Sequence, residues 1–552
     1  MHLRVFIFVL VILATAGVLV ACGDGKDTAP STAVDAWREA AEQAAQALAD
    51  AVSTGAAEAF TDTVGSEAAA VTAPAAENIP IVAPLNRDFL ESLLRPAFDA
   101  SSIAAVGHPL GERPTSQDFL NVRGIQVPSL DGFELPPWSD DQGGLEVIPT
   151  SYDLRALGKI TTVKDQESYG ACWSFATLGS LESSLLPGES WDLSEDNMVL
   201  TSGFDNGGDP YNWGGNLQMS TAYLVRWDGP IAESGDAYGD GYTPAGLSPR
   251  KHVQEVNWIP PRGAALDNDN IKNAIMQYGG VYVAMGWYDS ASGSSYYDAS
   301  TGSYYYFGLS GVNHAVLMVG WDDDYPAENF ATRPFGNGAF IVKNSWGPGW
   351  GDQGYFQVSY YDTVFGRSDP MAVFNNAEST GNYSGIYQYD PLGDVNSVGY
   401  SSPTAWFANV FTAQATSWLS AVGFYTLAPG TSYEVYTGSG FETTTLNASG
   451  TLPYMGYHTV TLVEPVAVTD GQPFVVAVKV TSPGTDSPIA VEYPIASFSS
   501  AAGAQPGQSY VSEDGTDWSD LTAVWDADAN VCLKAYETTN FVAPPITGPG
   551  VN

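Results

Sequence analysis

Tyr169-Gly170-Ala171-Cys172-Trp173-Ser174-Phe175-Ala176 is the stretch on which the fold of this 552-residue chain turns. It carries one of only three cysteines, the others being Cys22 and Cys532. Trp173 to Leu186 reads as a helix ended by Pro187-Gly188, so Cys172 sits at a helix start. A thiol attacks a carbonyl as the thiolate, and both a helix N-terminus and a nearby imidazolium favour that form. Of the five histidines, His2 lies in an apolar leader, His108 in an arm ahead of the domain, His252 in a Pro/Arg/Lys loop and His458 in a strand-rich region. His314 instead opens an apolar strand run that ends at Trp321. Asn344 closes the next strong strand, where its amide can fix an imidazole's tautomer and ring plane. Trp346 can shield that contact from water. A developing oxyanion needs donors, and the Cys172 backbone N–H with the Gln166 side chain can supply them.

Around this stretch the texture is α+β. Helix candidates follow the cysteine at 193–197 and 216–227, with Ser194 placed as a cap. Strand candidates come later, at 281–285, 314–321, 338–344 and 354–361, and a short strand-like piece precedes the cysteine at 160–163. Past residue 380 helical signals stop and short turn-bounded strands take over, from 386–389 to 530–536, as in a β-sandwich. Cys532 reads as a small apolar residue of a buried strand. Asn86 to Phe98 reads as a helix with Phe89, Leu90, Leu93 and Leu94 at helical spacing, and 101–148 as extended chain laid across another part of the protein.

Taken together, these residues resemble the papain-like cysteine peptidases over roughly 149–365. Gln166 stands six residues before Cys172, Cys172-Trp173-Ser174-Phe175-Ala176 matches the nucleophile motif, and Leu193-Ser194-Glu195 matches a helix start of that family. His314 follows Cys172 by 142 residues (314 − 172), within the family's range of about 130 to 150. Asn344-Ser345-Trp346-Gly347, Trp350-Gly351 and Gly354-Tyr355 complete the likeness. The resemblance implies a two-lobed fold, a helical lobe and then a β-barrel-like lobe. It implies Cys172 as nucleophile, His314 as acid/base, Asn344 as orienter and Gln166 as oxyanion partner. It also implies that Gly214 and Gly215, with Trp346, contact an extended peptide substrate. Two departures stand out. Tyr169 replaces a cysteine that the family pairs in a disulfide, and Glu167 replaces a usual glycine. Residues 287–310 form a Tyr/Ser/Gly insertion that reads as a surface loop. Residues 383–538 resemble the lectin-like β-sandwich found behind papain-like domains in some prokaryotic secreted peptidases, on motifs such as Phe424-Tyr425-Thr426 and Pro506-Gly507-Gln508-Ser509-Tyr510.

The expected organisation is a signal peptide with a lipobox at 1–22, a low-complexity linker at 23–85, a pro-region at 86–148, the peptidase domain at 149–375, the sandwich at 383–538 and a tail at 539–552. Val5 to Ala21 is nearly all apolar, and Leu19-Val20-Ala21-Cys22 resembles a bacterial lipobox, so Cys22 is the expected lipidation site. The alternatives are an ordinary signal peptide or an uncleaved anchor. The expected location is the cell envelope, held to a membrane by the N-terminal lipid, or the medium after processing.

A net charge of −42, from 62 acids against 20 bases, argues against a nucleic-acid partner. The expected partners are protein or peptide substrates and, through the sandwich, cell-surface glycans. No His/Cys cluster has metal-ligand spacing, so no metal and no cofactor is expected. Asp267-Asn268-Asp269-Asn270 and Asp322-Asp323-Asp324 read as solvated loops rather than Ca²⁺ sites. The expected function is a cysteine endopeptidase acting through a thioester on Cys172. Two alternatives stay open: an adhesion or carbohydrate-binding protein on a catalytically weak papain fold, and a papain-fold acyl transferase.

Overall fold

The computed structural model describes residues 79–94, 108–128, 148–289 and 295–539. The leader with Cys22, the linker up to residue 78, the region around Glu146 and the tail from residue 540 lie outside them. Among the described residues no helix is long and apolar enough to cross a membrane.

The helix Cys172–Leu185 lies inside the protein, buried along its length from Cys172 to Ser183. Small residues let it approach the sheet. A Cβ added at Gly179 would sit 3.2 Å from Leu317 Cδ2, on the strand beneath. Helices Glu195–Thr201, Pro210–Trp213 and Leu217–Val225 follow in the sequence. Ser194 caps the first of these by accepting from the Asn197 N–H at 3.0 Å. Asn216 caps the last by accepting from the N–H groups of Gln218 and Met219.

Against these helices stands an antiparallel sheet in the order 252–259, 371–378, 281–285, 314–322, 339–343, 355–359. His314 to Trp321 is buried at every position, which explains its continuous apolar sequence. Ala315 and Tyr282 join the core of the cysteine helix. Val281, Val283, Val316 and Met318 join a second core with Ile271 and Ile275 of helix Asp269–Gln277. The sheet is therefore covered on both faces.

The sandwich does not hang from a linker. Strand Met455–Val468 pairs with His252–Ile259, with Met455 opposite Trp258 and His458 opposite Glu255, so one sheet runs through both domains. A six-stranded sheet built on 404–412, 431–438 and 473–481 closes the sandwich over Phe407, Phe424, Val435 and Val478.

Several elements differ from the sequence reading. Residues 252–259 form a strand rather than a loop, hidden in the sequence between Pro/Arg/Lys-rich flanks. Residues 160–163 pair with nothing and form no strand. The described part of the insertion at 287–310 is anchored rather than a free surface loop, because Trp287, Tyr304, Tyr305 and Tyr306 are all buried and Tyr304 stacks on Trp287 at 4.5 Å. Helix Arg87–Ser92 forms with Asn86 as cap and buries Phe89 and Leu93, four residues apart, while Leu90 and Leu94 face solvent. Described structure also precedes residue 86. Ile81–Val82 pairs with Asn396–Gly399, the short β-branched run supplying an added edge strand to the sandwich.

Candidate active site

Cys172 is the first residue of its helix, and no acidic residue stands in the first turn to oppose a thiolate there. Its sulfur accepts from the Ala315 N–H at 3.3 Å, which places it at the head of the strand that carries His314. The backbone N–H groups of Gly111 and Trp173 also point at it. Burial nevertheless dominates: it pushes the thiol up to about 12, and the nearby Glu112 adds to the rise.

His314 and Asn344 meet across neighbouring strands, His314 Nε2 lying 2.9 Å from Asn344 Oδ1. The same oxygen accepts from the Ser345 N–H at 2.8 Å. Asn344 therefore presents its oxygen, and the imidazole carries its proton on Nε2 and donates it. Nδ1 has no hydrogen-bond partner, which leaves its lone pair available as a base. Trp346 stacks on the imidazole at 4.7 Å. Burial lowers His314 to about 3, against the opposing Asn344 bond, and His108 lowers it further. In this state the thiol and the imidazole are both neutral.

Gln166 is buried, and three contacts fix it. Ser345 Oγ donates to its Oε1 at 2.5 Å, its own N–H donates to Ser345 O, and its Nε2 donates to Tyr169 O at 2.7 Å. The loop pays for the missing glycine with strain, since Glu167 holds φ +55 with its N–H turned to Asp165 Oδ1. Lys164 anchors the loop from behind, bonding to Leu193 O, Glu195 and Asp192. Burial opposes its charge, but Glu195, Glu182 and Asp192 outweigh burial and keep it protonated.

The cleft between these groups is filled by the arm at 108–117. Gly215 and the arm pair in parallel: the Gly215 N–H donates to Gly111 O at 3.0 Å, and the Arg113 N–H donates to Gly215 O at 2.9 Å. Neither glycine tolerates a side chain. A Cβ at Gly215 would fall 2.4 Å from the Trp173 ring, and one at Gly111 would fall 1.8 Å from Gly170 O. Gly214, by contrast, serves as a turn at φ +84 after helix Pro210–Trp213, and the arm's backbone pairs with Gly215 instead. What meets the sulfur is the Gly111 N–H, a donor, and not a carbonyl carbon. Pro109 O lies 3.4 Å from Gln166 Nε2, and His108 stacks on Trp346 at 4.1 Å.

The Glu112 side chain enters a buried pocket and accepts from Tyr282 OH at 2.6 Å. Asp369 lies in the same interior and is capped by the N–H and Oγ1 of Thr115, both at 2.8 Å. Burial raises Glu112 well above the usual carboxylate range, against the Tyr282 bond and with Asp369 adding to the rise. Asp369 is raised by burial as well. Nothing in the sequence signals that Glu112, Tyr282 and Asp369 meet, because Glu112 lies in an irregular arm, Tyr282 reads only as one residue of strand 281–285 and Asp369 carries no spacing signal. The region Asp267–Asn270 also proved structural: Asn270 Oδ1 accepts from Val127 N–H, and Asn268 Oδ1 accepts from Arg262.

A family model described as "Papain family cysteine protease" matches residues 148–373, and one described as "Lectin like domain" matches 386–537. A viral cathepsin of Antheraea pernyi nuclear polyhedrosis virus is 34% identical over 212 residues, which is 38% of this chain and 59% of that protein. Cysteine proteinase 15A of Pisum sativum is 29% identical over 243 residues, or 42% of this chain and 63% of that protein. The chain thus spans under two thirds of the length of these relatives. The clostridial cysteine protease Cwp84 after propeptide cleavage superposes with TM-score 0.61 at 26% identity, over 71% of this chain and 99% of that one. The cysteine protease and lectin-like domains of Cwp84, a surface layer associated protein of Clostridium difficile, superpose with TM-score 0.66 at 24% identity, over 84% and 98%. Residues 148–373 are a papain-family cysteine protease domain, joined in this chain to a lectin-like domain at 386–537.

Proposed function

We propose that this protein is an exported cysteine endopeptidase in which Cys172 attacks the scissile carbonyl, His314 moves the proton and Asn344 orients the ring. The observation that carries the reading is the His314 ring itself: Nε2 is committed to Asn344 while Nδ1 is left without a partner. Nδ1 takes the thiol proton and later gives it to the leaving amine, and a water then releases the acyl group from the thioester. The Cys172 N–H and Gln166 Nε2 hold the oxyanion. Labelling with an epoxide thiol inhibitor tests this. The adduct is expected on Cys172, and an adduct elsewhere, or full activity in Cys172→Ala, overturns it.

The arm at 108–117 holds this machinery off. It keeps the catalytic pair neutral, dry and covered by a peptide in a pose that offers the sulfur no electrophile. Cleavage near Glu146–Pro149 is the proposed maturation step, in keeping with the propeptide cleavage named for the clostridial neighbour. Equal turnover by the full-length protein and by residues 149–552 would refute it. Export and lipid attachment at Cys22 rest on the lipobox-like leader, and loss of membrane association in Cys22→Ser is the expected result. For the lectin-like domain we propose cell-surface glycans as ligands.

A further inference from the structure

A second cluster of chemistry lies away from the catalytic pair. The loop Asp236-Ala237-Tyr238-Gly239-Asp240-Gly241 folds against the first turn of helix Glu195–Thr201. Asp196 is fully buried and Asp236 is 2% exposed. Asp196 Oδ1 accepts from Tyr211 OH and from the Gly239 N–H, and Asp236 Oδ2 accepts from Asn197 Nδ2 at 2.8 Å. The remaining oxygens, Asp196 Oδ2 and Asp236 Oδ1, have no donor at all. One carboxylate oxygen each from Asp196, Asp236 and the exposed Asp240 lie within 4.8 Å of one another.

Among the described residues no lysine, arginine or histidine forms an ion pair with any of the three. Burying a carboxylate oxygen without a donor is costly, and placing two side by side adds repulsion. An all-oxygen, multiply anionic site open to water on one side matches the preference of a hard divalent cation, and calcium accepts such irregular geometry more readily than magnesium. The absence of nitrogen and sulfur ligands disfavours zinc and copper.

We propose that Asp196, Asp236 and Asp240 bind a Ca²⁺ ion that cross-links the 236–241 loop to helix Glu195–Thr201, with water completing the coordination. The site supports the catalytic wall without touching the reaction. Tyr238 OH donates to Gln166 O at 3.1 Å, and Tyr169 stacks on Tyr211 at 4.6 Å, next to the bond that Tyr211 makes with Asp196. Tyr169 stands where the resembling family has a disulfide cysteine. Ring stacking and a bound ion would here secure the same wall reversibly.

The test uses the full-length protein after chelation. CaCl₂ is titrated calorimetrically, and Tb³⁺ is followed by tyrosine-sensitised luminescence, for which Tyr211 is a built-in antenna. The expected result is saturable binding weakened at least about tenfold by Asp240→Asn and by Asp236→Asn. Calcium should raise the melting temperature of the wild type by about 3 °C or more and leave Asp236→Asn nearly unmoved. Asp240 is exposed, so its variant keeps the fold even if the Asp236 variant does not, and circular dichroism verifies this. No saturable binding of either ion, or equal binding in the wild type and both variants, overturns the site.

Discussion

Among the described residues two free cysteines lie in the interior, Cys172 at 0% exposure in the cleft and Cys532 at 1% in the lectin-like domain. Burial raises both thiols far above their ordinary range. The difference lies in what surrounds the sulfur. Cys172 is met by three backbone N–H groups at a helix start, beside a histidine with a free lone pair, and much of its cover is a separate length of chain. Cys532 sits between strands 530–531 and 533–538, its own N–H spent on Ala490 O. Its charged neighbours are Asp390, Asp394 and Glu492, which resist a thiolate, with only Lys534 opposing them. Among the described residues no donor reaches its sulfur. Depth and pKa therefore do not separate the two thiols, whereas backbone donors, a histidine with a free lone pair and a covering arm mark Cys172 as the proposed nucleophile.

The largest test of that contrast is substitution. Cys172→Ala in 149–552 protein is expected to lower kcat by about 10⁴-fold or more, whereas Cys532→Ala should leave kcat within about twofold. Next comes the lid. Gly111→Val forces a side chain into Gly170 O, so full-length protein should gain about tenfold or more in turnover and in alkylation of Cys172, with Cys532 still unlabelled. Mass mapping of the alkylated sites checks this.

A smaller effect concerns pH. Glu112, facing Tyr282, Asp369 and Cys172 in the docked arm, stays protonated where a released arm would ionise. Below its ordinary value of 4.5 the carboxyl is neutral in both states and docking pays no ionisation cost. Above that value the released arm ionises first, so docking weakens by up to about tenfold per pH unit until the raised value is reached. The turnover ratio of full-length to 149–552 protein should rise with pH, and Glu112→Gln should flatten the rise. A part of the slope survives in that variant, because Asp369 is raised in the same sense. The smallest effect is the stability of Cys532→Ala, expected to fall by about 1 kcal/mol in denaturant melts.

Much of the candidate site was legible in the sequence because each of its signals is carried by a short stretch. Cys172, His314 and Asn344 each sit at the end of a strongly patterned element, Gln166 was marked by its spacing before Cys172, and the structure brings the four into one region. The arm was legible only as unpatterned chain, since the fit of Gly111 and Glu112 depends on Gly170, Gly215 and Tyr282, which are distant in sequence. The Tyr-rich insertion misled because Tyr, Ser and Gly suit loops, yet Tyr304 is held inside by stacking on Trp287, a tertiary effect. Strand 252–259 was masked by its Pro- and Arg-rich flanks, and it is the strand that joins the two domains.

That junction has a mechanical meaning. Because backbone hydrogen bonds run unbroken from the protease sheet through Trp258–Met455 into the lectin-like domain, the two cannot swing about a hinge without tearing a ladder. The cleft is carried at a fixed offset from the sandwich surface, like a blade on a rigid handle. Whatever the sandwich grips sets, by geometry alone, which bonds the cleft can reach, and lengthening a tether cannot widen that radius.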